Sequence, residues 1–70
     1  MSDLPEMTEV KSSNIHSIGK RDGYLYVKYH SGQTWRYRDA EHHHALMIAA
    51  PNVGKYFHAT VKPLGGERVG

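Results

Sequence analysis

The sequence predicts an α+β domain, a three-stranded antiparallel meander followed by two short helices packed on one sheet face (βββαα), and three observations carry that expectation. The dipeptides Asp22-Gly23 and Ser31-Gly32 lie between β-branched and aromatic residues, the strongest short-range signal for a hairpin. The stretches between and after them alternate with a period of two. From Asp39 onward the apolar spacing changes to that of a helix, punctuated by Pro51 and Pro63.

The first strand is expected at about Asn14 to Lys20. Its phase stays open, because Ile15 and Ile18 fall on opposite faces unless a bulge intervenes. The second strand, Tyr24 to His30, sends Leu25, Val27 and Tyr29 to one side and Tyr24, Tyr26, Lys28 and His30 to the other. In the third, Gln33 to Arg38, Trp35 and Tyr37 oppose Thr34, Arg36 and Arg38. Turning the two aromatics inward sends both arginines to the outer face. Asp39 is a candidate N-cap for a first helix that Pro51 terminates, with His43 or His44, Met47 and Ala50 on its inner side and Leu46 at the margin. Asn52 is placed to cap a second helix, on which Val53, Phe57 and Val61 recur every four residues.

A chain of 70 residues supplies one core and no more, burying only about 60% of its unfolded surface. Residues 1–9 and 63–70, lacking apolar periodicity or rich in glycine, are expected as flexible tails around a domain at 10–62. Without cysteine, neither disulfides nor thiolate metal sites reinforce the small core, which fits a reducing compartment. The acidic, polar N-terminus is unlike a secretory signal, and no apolar run approaches the ~20 residues of a membrane span. A cytoplasmic location without membrane attachment follows as the expectation.

The net charge of +2 conceals an asymmetry, since residues 10–62 hold eight Lys and Arg against three acids. That bias favours anionic partners. The outer sheet face offers Tyr24 and Tyr26 for stacking and Lys28, Arg36 and Arg38 for phosphate, with Lys20 and Arg21 extending its basic edge. Such a surface suits single-stranded nucleic acid, where bases stack on rings and cations meet the backbone. The same residue types also make an ordinary solvated sheet face, and a protein partner or a homodimer on that face is the alternative.

Catalysis is not expected. No nucleophile-elbow glycines surround a serine, no Walker spacing supports a nucleotide loop, and a domain this small is not expected to hold a deep pocket. Three successive histidines, His42 to His44, project about 100° apart on a helix and cannot converge on one ion, so no metal or other cofactor is expected. The Ser12-Ser13-Asn14 cluster reads as local backbone capping at a strand entry, and Gly54 as a point of close packing.

With these motifs placed, the chain resembles the KTSC family, small domains found at the C-terminus of some lysyl-tRNA synthetases and as stand-alone bacterial or phage proteins. The resemblance rests on "VKSSNIHSIG" (10–19), "YLYVKYHSG" (24–32), "WRY" (35–37) and "NVGKYFHATVK" (52–62). It departs from the family pattern at Lys20-Arg21, Trp35, Asp39-Ala40 and His43-His44, where Tyr-Asp, Tyr, Val-Pro and Val-Tyr are usual. The association with a tRNA-charging enzyme implies a small non-catalytic module that binds RNA.

Overall fold

Asp22 and Gly23 both adopt positive φ, +52° and +84°, which is the backbone a two-residue hairpin turn demands and the reason that dipeptide stands there. The computed structural model describes residues 5–70. In it the turn joins two strands, Ile15–Arg21 and Tyr24–Tyr29. The second turn is longer than its Ser31-Gly32 signal suggested. Tyr29 N–H bonds the Gln33 carbonyl at 2.8 Å and Gly32 N–H the Tyr29 carbonyl at 2.9 Å, so His30, Ser31 and Gly32 form a three-residue loop with Gly32 at φ +100°.

The sheet is antiparallel and packs with helices as expected, but it has five strands, not three. In chain order they are β1 (Thr8–Glu9), β2 (Ile15–Arg21), β3 (Tyr24–Tyr29), β4 (Thr34–Tyr37) and, after the helices, β5 (Glu67–Arg68), each beside the next. Both additional strands come from segments expected as tails, while residues 1–4 lie outside the described residues. Each edge strand is two residues long, too short to show alternation, which is why the sequence pattern does not reveal it. A β-bulge between Ile15 and Ser17 settles the phase of β2: it inserts His16 and turns Ile15 and Ile18 to the same side.

Helix α1 covers His43–Ala49, three residues later than an Asp39 cap implied. Asp39 instead takes φ +56°, and the chain behind it is strapped to the first hairpin, Ala40 N–H meeting the Gly23 carbonyl at 3.2 Å. Ala50 ends α1 in extended backbone before Pro51. Asn52 caps α2 (Val53–Tyr56) as expected, its side chain accepting Lys55 N–H at 3.0 Å. The helix continues as a π-turn, Phe57–Val61, and a 3₁₀ turn, Lys62–Leu64.

The core lies between the sheet and these helices. Ile15, Ile18, Leu25, Val27, Met47 and Val61 are fully buried, with Val53 and Phe57 nearly so. Phe57 meets the Tyr29 and Tyr37 rings edge-on, at 5.9 and 5.5 Å. Tyr37 and Trp35 therefore face the helices, as their alternation required. Trp35 sits at the core margin, half-buried, with its indole N–H donating to Gln33 at 3.1 Å. On α1, Met47 fills the core while Leu46 and Ile48 stay exposed, and both His43 and His44 are half-buried.

Candidate nucleic-acid interface

The outer sheet face is assembled by register. Tyr26 stands opposite Arg36, Arg21 opposite Tyr24, and Lys28 opposite both Ser17 and Thr34. Arg36 is the centre of this face. Its guanidinium lies 4.5 Å from the Tyr24 ring centroid and bonds the Glu67 carboxylate. The Tyr26 hydroxyl first, and Glu67 second, hold Arg36 still further above its ordinary range.

Three of the seven sequence-predicted contacts differ from expectation: one is covered, one is engaged by an acid and one turns to the other face. Tyr26 is only 7% exposed, so its ring is not available for a base. The chain at Pro5–Met7 crosses the sheet beside it: a Cβ added to Gly19, which faces Tyr26, would stand 2.7 Å from both the Glu6 carbonyl and the Met7 sulfur. Glycine at 19 is what admits that crossing. Arg36 faces outward but is engaged by Glu67, an acid from a strand the sequence pattern does not reveal. Lys20 pairs with Leu25 and turns to the helix side, where its charge helps to lower the His44 pKa.

The remaining four keep the expected face. Tyr24 is half-buried, Arg21, Lys28 and Arg38 are exposed, and Arg21 stands 3.7 Å from Asp22. Tyr24, Arg36 and Arg38 line an open groove of about 340 Å³ whose far wall is Gly65, Gly66 and Glu67. Arg38 makes no ion pair among the described residues. The expected outer platform is thus narrowed to its Tyr24–Arg38 end.

A second concave surface lies at the opposite end of the strands, where sequence reading placed no site. An open cleft of about 440 Å³ runs between Ser13-Asn14, the His30-Ser31 loop, and His58 and Lys62 of the second helix. An adjoining groove shares Ser13, Asn14, Gly54 and His58 and adds Lys11 and Lys55. The cleft is an open surface concavity, not the deep pocket that so small a domain is not expected to hold, yet its volume is that of a small-ligand site.

The Ser12 hydroxyl accepts N–H groups of Asn14 and Ile15 at 3.2 and 3.3 Å, the local capping role expected for it. The Ser12 carbonyl receives His30 Nε2 at 2.8 Å; a carbonyl only accepts, so that nitrogen carries the proton. Gly54 packs against Ser12, where a Cβ would lie 3.0 Å from its hydroxyl oxygen.

Among the described residues, no three His, Cys, Asp or Glu side chains gather as a metal would require. Nor is any helix long and apolar enough to cross a membrane. In comparison with known proteins, the family model of the KTSC domain matches residues 11–64. No curated protein matches the chain.

Proposed function

The chain belongs to the KTSC domain family, and we propose that this member is a small non-catalytic module that binds single-stranded nucleic acid, RNA in preference, at the Tyr24–Arg38 end of its outer sheet face. The carrying observation is the Arg36 guanidinium 4.5 Å over the Tyr24 ring, in a groove that also holds Arg38, which has no ion pair among the described residues. Bases stack on guanidinium planes as well as on rings, so an unstacked base extends the Tyr24–Arg36 pair while Arg38 takes the adjoining phosphate. Arg21 and Lys28 lie exposed on the same face for flanking phosphates. The engagement of Arg36 by Glu67 lowers its value as a phosphate contact but fixes its plane for stacking. Strand addition by a protein partner is less well served, because both edge strands are two residues long.

The test is titration of a mixed-sequence RNA oligonucleotide at two salt concentrations. Binding should weaken with a slope of about 0.7 in log affinity per log salt for each phosphate contacted. Arg38→Ala should reduce that slope by about one contact, and Tyr24→Ala should lower affinity with the slope retained. Absence of any salt-sensitive binding at low ionic strength would refute this reading.

A further inference from the structure

We propose that the cleft between Ser13-Asn14, His30, His58 and Lys62 is a second, separate site, which binds a small organic phosphate monoester. The inference stands independently of the outer-face reading. The two surfaces lie at opposite ends of β3, the groove at its first residue, Tyr24, and the cleft beyond its last, Tyr29.

Charge is the first argument. Lys11, Lys55, Lys62, His30 and His58 line the cleft and its adjoining groove, and no Asp or Glu lines either. Three basic side chains elsewhere pair with acids, His16 with Glu9, Arg21 with Asp22 and Arg36 with Glu67, while Lys28 and Arg38 stand singly on the outer face among the described residues. Lys11, Lys55 and Lys62 take part in none of these pairs. Cations gathered in a concavity without counter-charge raise the local concentration of anions.

Donor placement is the second argument. The Ser13 hydroxyl and the Asn14 side-chain amide are unused in hydrogen bonds among the described residues, and they form one wall. His30 Nε2–H is committed to the Ser12 carbonyl and holds the second wall in place, whose free donor is the neighbouring Ser31 hydroxyl, unused in hydrogen bonds among the described residues. His58 and Lys62, one turn apart on the second helix, make the third. A tetrahedral phosphate presents acceptor oxygens in several directions and can meet donors from three walls at once, where a planar carboxylate offers two. Volume is the third. About 440 Å³ lies within the ~300–1,000 Å³ of small-molecule sites and exceeds a bare phosphate, and Tyr29 and Phe57 give the excess space an aromatic floor for the esterified group.

Amide NMR of the full chain, titrated separately with inorganic phosphate and adenosine 5′-monophosphate at constant ionic strength, tests this. Both should shift the amides of Ser13–Ile15, His30–Gln33 and His58, the monophosphate at least tenfold more tightly. Lys62→Gln and His58→Gln should each weaken monophosphate binding at least fivefold with the amide spectrum otherwise folded. Arg38→Ala should leave it unchanged, which separates this site from the outer face. The proposal is overturned if neither probe perturbs those amides, if sodium chloride at equal ionic strength reproduces the shifts, or if the perturbed amides cluster at Tyr24 and Arg38 instead. Loss of RNA binding on Arg38→Ala, or its absence altogether, bears only on the outer face.

Discussion

The two half-buried histidines of α1 show how a departure from the family pattern changes behaviour residue by residue. His43 Nδ1 meets the Tyr56 hydroxyl at 2.9 Å, and its pKa is lowered mainly by burial and further by His42. The pKa of His44 is also lowered, by burial first and then by Lys20; the Ile18 carbonyl and Glu41 oppose the shift only in part. Both groups are therefore less easily protonated folded than unfolded. Between the depressed folded value and the unfolded value of about 6.5, the unfolded chain binds more protons, so stability rises with pH through that window. Their contribution is complete above about pH 6.5 and is lost as pH falls. Urea midpoints should be lower at pH 5 than at pH 7.5, and His43→Gln with His44→Gln should flatten that difference. Tyr37 shows the opposite electrostatics: burial, then the Tyr29 hydroxyl at 3.1 Å, raises its phenol above the ordinary range. It stays neutral at any physiological pH and works as a core ring.

Among the elements, the short edge strands decide what the outer face can bind. β1 brings the preceding chain across Gly19 and over Tyr26, and β5 brings Glu67 to Arg36. Gly66, just before β5, lies so close to the Tyr37 ring that a Cβ would come within 2.5 Å of it, which lets the C-terminal segment reach the sheet. Gly19→Ala should force Glu6 and Met7 off the sheet, costing ~1–3 kcal/mol by chemical denaturation and making the N-terminal segment more sensitive to protease. Unchanged stability and unchanged cleavage would mean that the N-terminal segment is not held there.

For the whole molecule, stability depends on a thin core between one sheet and two helices, and position within that core matters more than residue size. Trp35 is the largest side chain in the sequence, yet it lies at the margin of the core while Leu25 and Val27 are fully buried. Trp35→Ala is therefore expected to cost ~2 kcal/mol, below the 3–5 kcal/mol of a buried aromatic, and to lower the melting temperature by roughly 10 °C. Leu25→Ala should cost more than Trp35→Ala despite removing fewer atoms. Thermal melts of the two variants compare them, and the reverse order would place Trp35 inside the core.

The sequence by itself determined the family, the α+β class, the Asp22-Gly23 turn, the Asn52 cap, and the inward Leu25, Val27, Trp35 and Tyr37. All of these rest on interactions between residues near one another in the chain, where period and turn chemistry are legible. Only the tertiary structure decided that Arg36 is matched by Glu67, that Tyr26 is covered, that Lys20 turns toward the helices, and that Ser13, His30, His58 and Lys62 share one cleft. Those juxtapositions join residues far apart in sequence through strands of two residues and the parting of two layers, features too short or too distant to leave a periodic trace.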